Sequence, residues 1–477
     1  MIAKKALLFS TSSEVITRIV SLISVALFAR LLTPEELGIF IIASSIMFIA
    51  SEVRMLGTHT FLIRESSIDQ SKVSSAIGLA MAMSWSLAII FSLLSPFLAS
   101  FYGNSDIAFL IILLTISFYV TPYTSTTNAL LSRELQFQHL FVLQVLPPAV
   151  SLTTSVVLVY AGLSYESLAI GQAVSAIFEL VLSRVFRPKN MSWVPSFKGF
   201  KELLSVGVYT SLINFTNRLS DIIPDLILGK TRSAGYVAIV SRAIGLQLFM
   251  RDILLSGVSK IALPYLSLES RQNKNLKEYF LNATNMIAVF VIPPIAAGSI
   301  AAEALIDLLF GEQWVKSVVL AELLGVWMVI KCLHYFAQPV LFALKAEANL
   351  FWTRALSLAV LACLLYVTSN YGLIGIGISF IVTAVLDFFL YSYLLKKHLE
   401  LELMELPKKI WKSLVVGLLT LFCAILIREY CAGTYSSFVQ FFIYFSILSP
   451  VWIILVFILN HPIKKHLCKR PVIPPNA

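Results

Sequence analysis

The chain has 477 residues, of which 58% are hydrophobic and 13% charged, and its net charge is +10. A soluble protein of this size would carry about a quarter charged residues, so the composition excludes a soluble globular fold and indicates a membrane protein. Its five cysteines include no Cys-x-x-Cys pair, and they support neither a disulfide framework nor a zinc site.

Fourteen apolar stretches follow one another along the chain, each long enough to cross a bilayer. A spanning helix needs about 20 apolar residues, and backbone groups in lipid must be satisfied within the segment. The predicted spans are 10–32, 37–58, 73–102, 105–130, 138–161, 164–186, 200–229, 233–263, 276–302, 313–335, 350–370, 373–395, 408–429 and 436–459. The predicted fold class is an all-α polytopic membrane protein, and the first span is interpreted as a retained helix rather than a signal peptide.

The distribution of Lys and Arg gives the orientation. With the N-terminus inside, 24 of the 36 basic residues fall in inner loops or span ends and five on the outer side. Cytoplasmic loops carry the excess of positive charge, so both termini are predicted to be cytoplasmic. Because the basic residues follow the membrane so closely, the positive net charge does not indicate a nucleic-acid partner.

An internal repeat is visible in the sequence. Residues 17–45 align with residues 217–242, and Arg18 and Arg218 each precede another cation by twelve residues. The alignment then needs a connection three residues shorter in the second copy. Both segments begin on the cytoplasmic side, which indicates a parallel repeat with its pseudo-twofold axis along the membrane normal.

The repeat predicts two six-helix lobes and an appended pair of helices. The predicted boundaries are an N-terminal lobe at 1–186, a cytoplasmic linker at 187–199, a C-terminal lobe at 200–395, and helices 13 and 14 with a tail at 396–477.

Seven cationic side chains lie within the predicted spans. A charge at the bilayer centre costs at least ~2.5–3.5 kcal/mol, so such residues face a water-filled path or a partner. The seven are Arg18, Arg54, Arg218, Arg242, Arg251, Lys260 and Lys331. They predict a positively lined interior and an anionic cargo, and all five arginines are candidate substrate contacts.

Each arginine has a plainer alternative. Arg18 lies four residues after Glu14 on the same helix face, which also fits a local ion pair. Arg54 can extend toward the interface or point inward. Nine-residue steps rotate a helix by two and a half turns, so Arg242 and Arg251 are predicted on opposite faces, where either a cavity or a carboxylate partner fits. Lys260 and Lys331 lie near span ends and fit interfacial positions.

Two aspartates follow Arg218 at helical spacing. Asp221 and Asp225 fit a closed ion-pair ladder with Arg218. They also fit a site in which Arg218 contacts a substrate headgroup and an aspartate exchanges a proton or binds a cation, because burial raises a carboxyl pKa and a nearby arginine lowers it. Weaker candidates among the intramembrane carboxylates are Glu179, Glu322 and Asp387.

Several segments resemble a known family. They are "ARLLTPEELGIF" (29–40), "LGTHTFLIRESSID" (56–69), "LILGKTRSAGYVAIVSRAIGL" (226–246), "ALPYLSLESRQNKNLKEYFLNA" (262–283) and "LFGEQWVKSVVLAELL" (309–324). Their order and spacing resemble the Wzx-type oligosaccharide flippases, in the superfamily that also holds the lipid II flippases and the MATE drug exporters. The resemblance covers most of residues 10–395.

The resemblance implies a fold, a cargo and a location. It implies two six-helix bundles around a central cavity that opens alternately to each side of a bacterial inner membrane. The implied cargo is an undecaprenyl-pyrophosphate-linked oligosaccharide for O-antigen, capsule or exopolysaccharide assembly, moved by a monomer with possible coupling to a proton or sodium ion. Arginine suits this cargo because its guanidinium stays charged and grips phosphate oxygens in a bidentate way.

Two other functions are alternatives for a protein with this span pattern. A MATE-like drug exporter would favour carboxylates for cationic drugs, whereas this interior has several arginines. A membrane glycan polymerase or ligase would usually carry a substantial outer loop, and every outer loop here is short. No nucleotide-binding Gly-rich loop or histidine ligand cluster is present, so the sequence predicts a transporter without a cofactor rather than an enzyme.

Overall fold

Among the described residues, each predicted span contains one main α-helix. The structure is a computed structural model that describes residues 2–54, 62, 69–188, 193–197, 208–271, 276–431 and 434–464. The description omits the side chains of residues 2–8, 10, 11, 53, 54, 208–211 and 256–271. Within the described ranges, all regular secondary structure is helical, which confirms the all-α fold class.

Seven helices form most of the first half of the chain. They are α1 (Ile2–Leu31), α2 (Pro34–Arg54), α3 (Gln70–Tyr102), α4 (Asp106–Arg133), α5 (Phe137–Tyr160), α6 (Glu166–Val185) and α7 (Val208–Thr231). Within this half, α3 packs along α4, α5 along α6, α1 against α5, and α2 against α7.

The second half contains the remaining helices. They are α8 (Ala234–Arg271), α9 (Leu276–Ile300), α10 (Ala302–Phe310), α11 (Val318–Cys332), α12 (Ala337–Ala343), α13 (Glu347–Thr368), α14 (Gly372–Leu399), α15 (Glu405–Cys431) and α16 (Ser437–Ile458). Here α15 packs along α9, α14 packs against α11 and α13, and α16 packs against α10 and α15. The short helices α10 and α12 were not predicted, because neither is long enough to give a span.

The described helices have the length and composition of membrane spans. Ten stretches are long and apolar enough to cross a bilayer, and one of them, Glu347–Leu399, comprises both α13 and α14. The long helices outside these stretches are α1, α7 and α8, which carry most of the predicted intramembrane cations. The chain is therefore a multi-pass membrane protein.

The chain divides into two compact units, Met1–Ala238 and Ile239–Ala477. Helix α7 accordingly packs with helices of the first unit, chiefly α2. The two six-helix lobes at 1–186 and 200–395 remain a prediction from the internal repeat.

The repeat has a different register from the predicted one. Helix α1 ends at Leu31 and α2 begins at Pro34, while α7 ends at Thr231 and α8 begins at Ala234. Both connections therefore contain two residues, and at this turn the two copies are offset by 200. The predicted connection three residues shorter, which would align Gly38 with Gly235, is wrong, because the two turns have the same length.

Equivalent residues cap the second helix of each copy. The Thr33 hydroxyl accepts a hydrogen bond from the Glu36 N–H at 3.4 Å. At the same place in the second copy, the Ser233 hydroxyl accepts from the Tyr236 N–H at 3.3 Å. In the first copy the Glu36 carboxylate also accepts from the Thr33 N–H, which completes a capping box. The shared cap supports the register of 200 residues.

Candidate functional site

Helices α2 and α7 run antiparallel and share a series of polar contacts. We call the contacts of residues 35–52 with residues 218–235 the α2–α7 seam. At one end, Arg218 Nε lies 3.8 Å from Glu52 Oε1, and its guanidinium lies 6.0 Å from the centre of the Phe48 ring. Arg218 thus pairs with a carboxylate of α2 instead of forming the predicted ladder with Asp221 and Asp225.

The two aspartates of α7 have different surroundings. Asp225 is buried, and its Oδ2 accepts a hydrogen bond from the Ser45 hydroxyl at 2.9 Å. Asp221, one turn earlier, is exposed, and within the described residues it takes part in no hydrogen bond or ion pair. Of the two predicted ion-coupling residues, only Asp225 is therefore enclosed by protein.

The far end of the seam is a close backbone contact. A Cβ on Gly38 would lie 1.8 Å from the carbonyl oxygen of Ala234, so only glycine permits this approach. Next to it, the Glu35 carboxylate accepts a hydrogen bond from the Gly235 N–H at 2.8 Å. The first turn of α8 is thereby held against the first two turns of α2, by the Glu35 carboxylate and by the absence of a side chain on Gly38.

The remaining predicted contact of the first unit forms a local pair. Arg18 lies 2.9 Å from Glu14 in the (i, i+4) arrangement, and both side chains are partly exposed. The side chain of Arg54 lies outside the described residues, as does that of Lys260 on α8.

The two described arginines of α8 have different partners. Arg251 forms an ion pair with the adjacent Asp252, with Nη2 and Nε at 2.7 Å and 2.9 Å from the same carboxylate oxygen. Arg242 lies over two aromatic rings, 5.6 Å from the centre of Phe310 and 5.5 Å from that of Trp314. A guanidinium within about 6 Å of a ring is attracted by the negative face of the ring. Each of these arginines thus lies next to a carboxylate or aromatic rings of the second unit.

Sequence reasoning missed a charged pair between α13 and α14. Arg354 Nη1 lies 3.8 Å from Asp387 Oδ2, and both side chains are largely buried. The Ser357 hydroxyl donates to the same carboxylate, and the Arg354 guanidinium lies 5.0 Å from the Tyr391 ring. The charge distribution along the sequence assigns Arg354 to the 24 basic residues of the inner loops and span ends. Its position inside span 350–370, followed by an aspartate in the next span, was the available signal.

The other candidate residues are also partnered. Glu322 lies 2.9 Å from Arg428, Glu179 accepts from the Asn128 amide at 3.3 Å, and Lys331 Nζ lies 4.9 Å from the Trp327 ring centre. The charged candidate residues with described side chains, apart from Asp221, therefore lie next to other polar or aromatic groups of the protein.

In the part of the chain that the structure describes, no group of three or more His, Cys, Asp or Glu could hold a metal ion.

The fold and these contacts define a polytopic membrane protein with paired charges inside its helices. A family model described as "Polysaccharide biosynthesis protein" matches residues 27–319, which is more than half of the chain. The chain belongs to this family.

Two curated relatives align over most of their length. The chain is similar to the teichuronic acid biosynthesis protein TuaB of Bacillus subtilis, with 23% identity over 415 residues that cover 85% of each chain. It is also similar to the lipopolysaccharide biosynthesis protein WzxC of Escherichia coli, with 20% identity over 430 residues, or 87% of this chain and 85% of WzxC. The resemblance to Wzx-type proteins is thereby confirmed.

Solved structures show the same fold. The inward closed conformation of the lipid II flippase MurJ matches with a TM-score of 0.77 and 16% identity, covering 97% of this chain and 100% of MurJ. An inward-facing MATE multidrug transporter of the MOP superfamily matches with a TM-score of 0.61 and 16% identity, covering 80% of this chain and 96% of that chain. At these identities the likeness concerns the fold.

Proposed function

We propose that this protein is a flippase that moves an undecaprenyl-pyrophosphate-linked oligosaccharide repeat unit from the cytoplasmic to the periplasmic leaflet of a bacterial inner membrane. It acts as a monomer by alternating access, coupled to a proton or sodium ion, and without enzymatic chemistry. Both termini lie in the cytoplasm. The transported unit serves O-antigen, capsule or exopolysaccharide assembly.

Family membership supports the substrate class. The relatives TuaB and WzxC are named for the biosynthesis of teichuronic acid and lipopolysaccharide. The fold shared with a lipid II flippase supports a lipid-linked form of the cargo.

The observation that carries the proposal is the environment of Arg218. Its side chain is 57% exposed on α7, and its contact with Glu52, at 3.8 Å, is longer than a hydrogen bond. A guanidinium held this loosely can exchange its carboxylate partner for a diphosphate, which offers bidentate and more highly charged oxygens. We assign substrate contact to Arg218 first, and to Arg18, Arg54, Arg242 and Arg251 as further members of the set.

Single substitutions test this assignment in a host that lacks its own flippase. We expect Arg218→Ala to lower surface polysaccharide at least tenfold relative to the amount of protein in the membrane. Arg218→Lys should retain part of the export, because a lysine keeps the charge but loses the bidentate geometry. The same pair of substitutions applies to Arg18 and Arg251.

Arg428 provides a matched control. It also forms an ion pair between helices, with Glu322 at 2.9 Å, but it is outside the proposed substrate contacts. Arg428→Ala should export at the wild-type level, because exposed ion pairs contribute only about 0–1 kcal/mol to stability. Wild-type export by Arg218→Ala would contradict the assignment. Cationic-drug resistance without polysaccharide export in the wild type would instead support the drug-exporter alternative.

A further inference from the structure

The segment between α6 and α7 contains five described residues, 193–197, that lie against α3. The Ser196 N–H donates a hydrogen bond to the carbonyl oxygen of Ser74, in the second turn of α3, at 2.9 Å. This oxygen lies in a helix, where carbonyls are normally used only by the helix itself. The segment is therefore bound to the side of a helix through its own backbone.

Gly78 makes this approach possible. A Cβ at position 78 would lie 2.1 Å from the carbonyl oxygen of Ser196 and 2.7 Å from its carbonyl carbon. Both atoms belong to the backbone, so a rotation of side chains cannot relieve the overlap. The surface of α3 thus contains a gap, one side chain wide, that the segment fills.

Trp193 anchors the start of the same segment. Its ring centre lies 5.0 Å from that of Tyr123 on α4, and the guanidinium of Arg184, near the end of α6, lies 5.4 Å from the Trp193 ring. The ring also packs against a cluster of buried residues on α3 and α4, namely Val73, Ile77 and Leu130. Two independent attachments, one aromatic and one backbone, therefore hold the segment.

We propose that residues 193–197 form a fixed strap on α3 and α4, and that the connection between the two lobes effectively begins at Phe197 instead of at the end of α6. The inference rests on the proposed function, because only a protein whose lobes alternate needs a connection of defined reach. A chain of n residues spans at most about 3.3–3.6 Å × n, so with residues 193–197 attached to α3 and α4, residues 198–207 provide a reach of at most about 36 Å before α7 begins. The strap thereby limits how far the lobes can separate during transport.

Proteolysis tests the attachment without any need for transport. Lys189 and Lys198 flank the strap in the sequence and are trypsin sites on the predicted cytoplasmic side. In inside-out vesicles, Gly78→Val should raise the rate of tryptic cleavage between α6 and α7 at least fivefold, because the new side chain displaces the strap. Trp193→Ala should act in the same direction.

Gly245 on α8 supplies the control, because a Cβ there would meet nothing within 4 Å. Gly245→Val should be cleaved at the wild-type rate. Equal cleavage of the wild type, Gly78→Val and Trp193→Ala would overturn the attachment.

A disulfide tests whether the strap stays in place during transport. Ser74→Cys combined with Ser196→Cys, oxidised in the membrane, should export polysaccharide at the level of the reduced protein. Loss of export on oxidation, restored by reduction, would show that the strap must detach and would overturn the proposal. If the wild type exports nothing, the flippase proposal fails, while the proteolysis result still decides whether the strap exists.

Discussion

Arginine side chains inside the described helices are held next to groups that offset their charge. The buried pair of Arg354 and Asp387 is the clearest case. Removing one partner of a buried ion pair typically lowers the free energy of unfolding by about 3–5 kcal/mol, because the other charge stays buried without a partner. The cationic interior predicted from sequence is thus largely neutralised by local carboxylates and rings. Under the proposed function a diphosphate headgroup would displace a carboxylate, and Arg218 has the most exposed side chain of the ion-paired arginines in the part of the chain that the structure describes.

We expect His461, just after α16, to make stability depend on pH. The side chain is buried, its Nδ1 accepts from the Ile463 N–H at 3.3 Å, and its Nε2 lies 3.1 Å from the Ser413 hydroxyl. Burial, with a smaller contribution from the positive charge of Lys412, lowers the pKa of His461 below its usual value. Protonation would place a second N–H against the Ile463 N–H.

The sign of the effect follows from proton binding. In the unfolded chain His461 binds a proton with the ordinary histidine pKa of about 6.5. In the folded chain its pKa is lower, so below about pH 6.5 the unfolded state binds more protons and the free energy of unfolding decreases as the pH falls. We expect the melting temperature in detergent to fall between pH 7.5 and 5. His461→Asn should melt lower at pH 7.5 but lose part of this pH dependence. A pH profile unchanged by the substitution would assign the effect to other groups.

At the scale of elements, the contact between the start of α2 and the first turn of α8 depends on Gly38. In Gly38→Val the new side chain would overlap the Ala234 carbonyl. Overpacking of this kind typically lowers the free energy of unfolding by about 1–3 kcal/mol. The thermal unfolding midpoint of the purified protein should fall accordingly. Gly245→Val, which adds the same side chain in open space, should lower it much less. Equal midpoints for the two variants would contradict the close contact.

The helices could be predicted from the sequence because each must supply its own apolar length. A bilayer sets that length, so hydropathy alone locates α3 or α15 within a few residues. The turn between α7 and α8 could not be predicted in the same way. This turn needs only two residues. Gly235, whose alignment with Gly38 suggested another register for the repeat, instead donates its backbone N–H to the Glu35 carboxylate. Its function there depends on the neighbouring α2.

The partners of the charged residues were harder to predict than the residues themselves. That Arg218 is unusual follows from its position in an apolar span, but its pairing with Glu52 depends on how α2 crosses α7. Spacing along one helix suggested Asp221 and Asp225 as partners, because sequence shows only contacts within a helix. The Arg354–Asp387 pair was missed for the same reason.

For the whole molecule, ion coupling requires a carboxylate that can change its charge while the fold stays intact. Asp225 meets the structural part of this requirement, since it is buried and held by the Ser45 hydroxyl at 2.9 Å. Asp225→Asn keeps an oxygen that accepts from Ser45, and it removes the charge. The substitution therefore separates a structural role from a coupling role.

Proteoliposomes with a fluorescent lipid-linked oligosaccharide provide the measurement. A proton or sodium gradient should accelerate transport by the wild type severalfold, and Asp225→Asn should transport at the same slow rate with or without the gradient. Ser45→Ala removes the hydrogen bond but keeps the carboxylate, so it should still respond to the gradient. If Asp225→Asn responds like the wild type, the carboxylate is structural. Coupling then belongs elsewhere, and the exposed Asp221 is the next residue to test, because it too is a carboxylate of α7.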